Sequence, residues 1–233
     1  MTTFQRARSE EQRAARRRMI LDGAAAMLAE MPVAQVSLNE LSRRVGLAKS
    51  NVLRYFESRE DVLLELLNTA AREWLADFAD EVAGVVDAGA GPSERSAQFA
   101  GALAASLAAR PILCDLISAQ SAVLEHNVSP QVVVKYKRAA GQTIAVLVRL
   151  VLEHVRELGE RDAEWFTTAS IMMAGAAWTH ANPASAVEAA YAADPALASM
   201  RVDFADTLRD VLEVLLAGLL ARARARWAEG PPG

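Results

Sequence analysis

Apolar residues recur along this chain at the three-and-four spacing of α-helices, and no alternating strand pattern runs for more than a few positions. Ile20, Ala24, Met27, Leu28 and Met31 mark one face of a long first helix, about residues 9–31, stopped by Pro32. Ser37 and Glu40 form an S-x-x-E capping box, which starts a second helix at Leu38. Leu38, Leu41 and Val45 give that helix its apolar face. Gly46 ends it, because glycine accepts the left-handed conformation at a helix terminus. A short third helix is predicted over residues 49–55, anchored by Val52 and Phe56. Ser58 caps a fourth, about 59–86, with Val62, Leu63, Leu66, Leu67, Ala70 and Leu75 at helical spacing. The stretch DAGAGPS, residues 87–93, is the clearest loop. Ser93 caps a fifth helix to Ala109, Pro111 starts a sixth to 126, and Ser129-Pro130 opens a seventh ending at Gly159. Asp162 opens an eighth, which ends by Asn182-Pro183. Residues 183–202 read as a short helix plus a connection, and Asp203 caps a last helix to about Trp227. Residues 1–9 read as a flexible basic arm and the tail EGPPG as disordered. The fold class is all-α, with about nine helices.

The third helix has a polar side as well as its anchors. Lys49, Ser50, Asn51, Arg54 and Tyr55 lie away from Val52 and Phe56. A helix that enters the DNA major groove needs this division, apolar residues behind and hydrogen-bond donors in front. Two amphipathic helices in any helical protein would share the spacing, so the flanks decide. A long helix, then the short pair, then Tyr55-Phe56-Glu57-Ser58-Arg59-Glu60-Asp61-Val62-Leu63 is a specific order. It resembles the N-terminal domain of the TetR family of one-component transcriptional regulators, over roughly residues 13–72.

The resemblance implies a helix-turn-helix DNA-binding domain over 10–58 and a helical effector-binding and dimerisation domain over 59–227. It implies a homodimer on double-stranded DNA, at a near-palindromic operator, and no enzymatic activity. Lys49, Ser50, Asn51, Leu53 and Arg54 become the candidates for base or backbone contacts. Tyr55 and Arg59 become phosphate contacts, and Asn39 on the second helix reaches the groove edge. Two positions depart from the family. Ala48 stands where Ser or Thr usually caps the reading helix, a loss of about 0.5–2 kcal/mol unless Ser50 or a neighbour compensates. Leu53 stands where Tyr is common, and it offers a thymine methyl an apolar contact instead of a phosphate a hydrogen bond.

Charge supports one part of this picture. The 233 residues carry a net charge of −4, which taken alone argues against a nucleic-acid partner. Residues 1–59, however, hold eleven Lys/Arg and six Asp/Glu, and the rest hold fourteen and twenty-three. A basic head on an acidic body suits a chain that meets phosphates at one end. One cysteine, Cys114, in an apolar run excludes an internal disulfide and reads as a buried, inert thiol in a reducing cytoplasm. No run of 18 apolar residues free of charge exists, so no membrane span is expected. His126, His154 and His180 are too far apart for a ligand motif, and no P-loop, G-x-G-x-x-G or G-x-S-x-G occurs. No metal, cofactor or catalytic group is expected.

The helical body suggests two further sites. The last helix is apolar on two sides, as is the eighth, which predicts burial on two sides. In TetR-like proteins the last two long helices build the dimer interface. The resemblance therefore implies contacts from Phe166, Met173, Leu208, Leu212, Leu215 and Leu219. An effector pocket is expected from Phe99, Leu116, Gln120, Leu124, His126, Asn127, Tyr136, Trp165, Met172, Met173, Trp178 and His180, a mostly apolar set with a few polar fixers. Its ligand would be small and apolar or aromatic. Two alternatives stay open: a regulator of the same fold that answers to a protein partner, and a helical non-DNA-binding protein or enzyme with a fortuitous helix pair.

Overall fold

A computed structural model describes residues 3–228, with side chains from Glu10 to Arg226. Residues 229–233 and the side chains of 3–9 lie outside the described residues; the expected flexible arm is instead helical from Thr3. There are ten α-helices and no strand among the described residues. In chain order they are α1 (Thr3–Leu28), α2 (Leu38–Arg44), α3 (Lys49–Val52), α4 (Arg59–Val85), α5 (Pro92–Ala108), α6 (Pro111–Ala119), α7 (Pro130–His154), α8 (Glu160–Ala181), α9 (Ser185–Ala193) and α10 (Phe204–Ala228). Short 3-10 turns occupy Val33–Gln35 and Ala198–Met200, and one π-helical turn, Gln120–Leu124, follows α6.

The chain forms two compact units. The head comprises residues 1–70 and 119–139; the body comprises 71–118 and 140–233. The expected boundary at 58/59 falls at the start of α4, whereas packing also assigns residues 59–70 and 119–139 to the head.

In the head, Ile20, Ala24 and Met27 of α1 are fully buried, as are Leu41 of α2, Val52 of α3 and Val62 and Leu63 of α4. The caps follow the sequence. The Ser37 hydroxyl accepts from the Glu40 amide at 3.2 Å, and the Ser58 hydroxyl accepts from the Asp61 amide at 3.1 Å. Gly46 has φ +66°, the left-handed value a side chain would strain. Gly23 serves a different need. A Cβ there would come within 2.4 Å of Val45 Cγ1, so α1 and the end of α2 meet only because Gly23 lacks one.

In the body, α10 packs against α5 and α8. An aromatic row forms the core: Trp74 stacks on Phe78 at 5.7 Å between ring centroids, and Phe99 lies 5.9 Å from Phe78 and 6.3 Å from Phe166. Three expected helix boundaries shift. Helix α5 begins at Pro92 with Gly91 as its cap, not at Ser93. Helix α7 ends at His154 rather than Gly159, and Gly159 instead caps α8. Asp162, expected to open α8, lies inside its first turn, buried and bound by two arginines of α10, Arg222 and Arg226. That pairing explains why a carboxylate can be interior here.

Candidate nucleic-acid interface

The reading segment is shorter than expected. Helix α3 ends at Val52, and residues 53–55 continue as turns rather than helix. Two causes are visible. Ala48 caps α3 without any side-chain hydrogen bond, as its residue type requires. Beyond Val52, Arg17 of α1 donates to the Tyr55 carbonyl, and its guanidinium stacks over the Phe56 ring at 4.2 Å. Phe56 is buried in the core, at 2% exposure.

Arg17 also makes a two-pronged pair with Glu65 of α4, which Lys135 of α7 joins. Burial alone would raise the Glu65 carboxyl's pKa, but the bonds from Lys135 and Arg17 outweigh it and hold it below the ordinary value. The Ser129 amide donates to the Glu57 carboxylate, and Asp61 accepts from the Glu57 amide at 3.0 Å. The turn after α3 is therefore braced by α1, α4 and the start of α7.

Most of the expected reading residues are presented outward. Asn39, Lys49, Ser50, Asn51, Leu53 and Arg54 are exposed, and Tyr55 is half-buried. Arg59 is different. Its Nη1 donates to the Val36 carbonyl at 3.0 Å and it pairs with Glu60 at 2.9 Å. It ties α4 to the entry of α2, a contact the sequence did not suggest. Sequence reasoning also missed a groove of about 670 Å³ between α1 and the turn after α3. Arg13, Arg16 and Met19 line it with Arg54 and Tyr55. The signal was present in the triplet Arg16-Arg17-Arg18, of which Arg17 turns inward.

The expected effector residues are divided between the two units. Gln120, Leu124, His126, Asn127 and Tyr136 belong to the head unit; the other seven belong to the body. Phe99, Leu116 and Leu124 are core residues at 0% exposure, and Tyr136 is buried. Trp165 and Met172 lie outward on α8, at 51% and 69%, and His126, Asn127 and His180 are also exposed. Gln120 donates to Glu125 at 2.6 Å. Trp178 and Met173 are half-buried, Trp178 edge-on to Phe204 at 5.2 Å.

The expected dimer set divides by burial within one protomer. Phe166, Leu208, Leu212 and Leu219 are 0–3% exposed within one protomer and face its own core. Leu215 and Met173 are half-buried. An apolar helix stripe specifies burial but not by which neighbour. The Cys114 thiol, which donates to the Leu107 carbonyl at 3.3 Å, is pushed up to about 12 by burial, so it stays an inert thiol.

The comparisons with known proteins agree with this architecture. Residues 20–66 match the model for bacterial regulatory proteins of the tetR family. Residues 69–223 match the tetracyclin repressor-like C-terminal domain. Together these define a DNA-binding transcriptional regulator and not an enzyme. The chain belongs to the TetR family.

Similar solved structures include a TetR transcriptional regulator from Rhodococcus sp. RHA1, with TM-score 0.55 and 16% identity over 89% of this chain and 96% of that one. A TetR/AcrR-family regulator from Thermobifida fusca YX-ER1 has TM-score 0.50 and 21% identity over 88% and 98%. The regulator FadR from Bacillus subtilis, in complex with stearoyl-CoA, has TM-score 0.53 and 16% identity over 86% and 97%. At these identities the likeness is one of fold. No curated protein matches the sequence.

Proposed function

We propose that the protein is a repressor that binds a near-palindromic operator as a homodimer and is released by a small apolar or aromatic effector. The observation that carries this reading is the outward set Lys49, Ser50, Asn51, Leu53 and Arg54, held on a braced turn with its anchors Val52 and Phe56 buried. These residues make the base and backbone contacts, Tyr55 holds a phosphate, and Asn39 reaches the groove edge. Two such heads would sit about 34–36 Å apart, one turn of duplex. Residues 10–58 read DNA, and 59–227 carry the effector and dimer functions. The site of action is the cytoplasm.

The dimer contact is assigned to the outer face of α8. Trp165 and Met172 are seven residues apart, hence on one side of the helix, and both are largely exposed. The effector reading is supported by two facts. The Bacillus subtilis relative was solved with stearoyl-CoA, an acyl ligand. The Thr167 hydroxyl in the body is fully buried and has no partner among the described residues. An unmet buried hydroxyl costs about 1–3 kcal/mol, which a polar group on a ligand would recover.

Release follows from the head's bracing. Residues 119–139 pack with the head, so a shift of α7 reaches the reading turn through Lys135, Glu65, Arg17 and the Tyr55 carbonyl. The effector acts by binding the released conformation more tightly. A switch from 1:99 to 99:1 needs about 5.5 kcal/mol of that preference.

The test is selection of bound duplexes from random DNA, then a thermal-shift screen of apolar and aromatic compounds with release of the selected operator by each hit. A compound at about 100 times its Kd should stabilise the fold by about 2.7 kcal/mol. Selection of no palindrome, or hits that leave operator binding untouched, would overturn the reading.

A further inference from the structure

We infer that the groove between α1 and the turn after α3 is a second DNA-backbone site, holding phosphates that flank the bases read by α3. The head holds both paired and open arginines. Arg17, Arg43, Arg44 and Arg59 are paired with Glu65, Glu40, Glu30 and Glu60. Arg13, Arg16 and Arg54 have no carboxylate partner among the described residues, and all three line one groove of about 670 Å³. The Arg16 guanidinium donates to the Met19 sulfur at 3.8 Å.

Guanidiniums that line one groove repel. Their placement is favourable when an anion lies between them. Guanidinium binds phosphate in a two-pronged fashion, and the Tyr55 side chain adds a further polar group at the groove's edge. The groove begins at Arg54 and Tyr55, immediately after α3, and runs onto α1 at Arg13 and Arg16. A strand bordering the major groove that α3 enters passes over the same side. Arg13 and Arg16 are three residues apart on a helix, so both face the groove and can take neighbouring phosphates. Contacts of this type fix register and add affinity without reading sequence.

This inference rests on the operator-binding reading above, and the experiment separates the two. The full chain's affinity for its selected duplex and for a random duplex is measured against salt. Comparison variants are Arg13→Gln/Arg16→Gln and Arg13→Lys/Arg16→Lys. Each lost phosphate contact lowers the slope of log affinity against log salt by about 0.9. The glutamine pair should therefore lower the slope by about two and weaken both duplexes alike, leaving base preference unchanged. The lysine pair should keep the slope, because charge is retained. Both positions are exposed, so thermal unfolding should not move. A wild-type slope in the glutamine pair overturns the second site while operator binding stands. Loss confined to the selected duplex also overturns it, since that marks base contact. A wild type that binds neither duplex overturns both readings.

Discussion

Both compact units hold paired and open arginines, but in the head three open ones line one groove. In the body, Arg95 pairs with Glu157, Arg110 with Asp77 and Glu81, and Arg222 and Arg226 with Asp162. In the head, Arg17 and Arg59 are tied down in the same way, yet Arg13, Arg16 and Arg54 carry no carboxylate partner among the described residues. The chain has twenty-nine acidic residues against twenty-five Lys and Arg, so carboxylates are not scarce. The open cations border α3 and its turn. Where charges lie, rather than their total, marks the anionic partner; the net charge of −4 alone points the wrong way.

If body arginines are structural, removing them should cost most. Arg222→Ala/Arg226→Ala leaves Asp162, 3% exposed, with an uncompensated charge. A loss of about 3–5 kcal/mol in urea unfolding is expected, the usual cost of orphaning a buried ion. Asp162→Asn should cost less, because both arginines are half exposed and water takes them up. The pH dependence has a definite sign. Burial would raise the Asp162 carboxyl's pKa, but the bonds from Arg226 and Arg222 outweigh it and keep the pKa below the ordinary value. Its stabilisation is thus complete above the unfolded carboxylate's pKa and lost as pH falls through the lowered folded value. In the double variant burial is unopposed, so acid unfolding should begin at higher pH. An unchanged acid limb would break the structural half of the comparison.

Arg17 lies between the two uses. Arg17→Ala removes a charge-assisted pair with Glu65 and the contact over Phe56. A loss of roughly 2 kcal/mol in thermal unfolding is expected. Operator affinity should fall as well, because the Tyr55 carbonyl loses its brace. Lost stability with full affinity would mean that the turn after α3 holds itself.

Lys49→Ala should change stability least, by less than about 0.5 kcal/mol, as exposed positions do. Its operator affinity should nonetheless drop by about 1–3 kcal/mol if Lys49 meets a base or phosphate specifically. Equal affinity in filter binding at two salt concentrations would remove Lys49 from the reading set.

Local chemistry made the head legible before any coordinates. Ser37 with Glu40, Gly46, Ser58 and the Ala48 cap position are short-range features, and each behaves in the structure as its residue type requires. The end of α3 was not legible. It depends on Arg17, thirty-eight residues before the Tyr55 carbonyl that it binds. Nor was the bond from Arg59 to the Val36 carbonyl legible.

The body shows the limit from the other side. The apolar periods of α8 and α10 determined two helices buried on more than one side, and nothing more. Only packing decided that Phe166, Leu208, Leu212 and Leu219 face the protomer's own core, and that Trp165 and Met172 are left outside. Periodicity assigns residues to faces of a helix, because backbone geometry is local. It cannot assign those faces to neighbours, because hydrophobic attraction has no direction. Asp162 makes the same point with charge. Its place in sequence suggested a helix start, and two arginines sixty and sixty-four residues away made it an interior anchor.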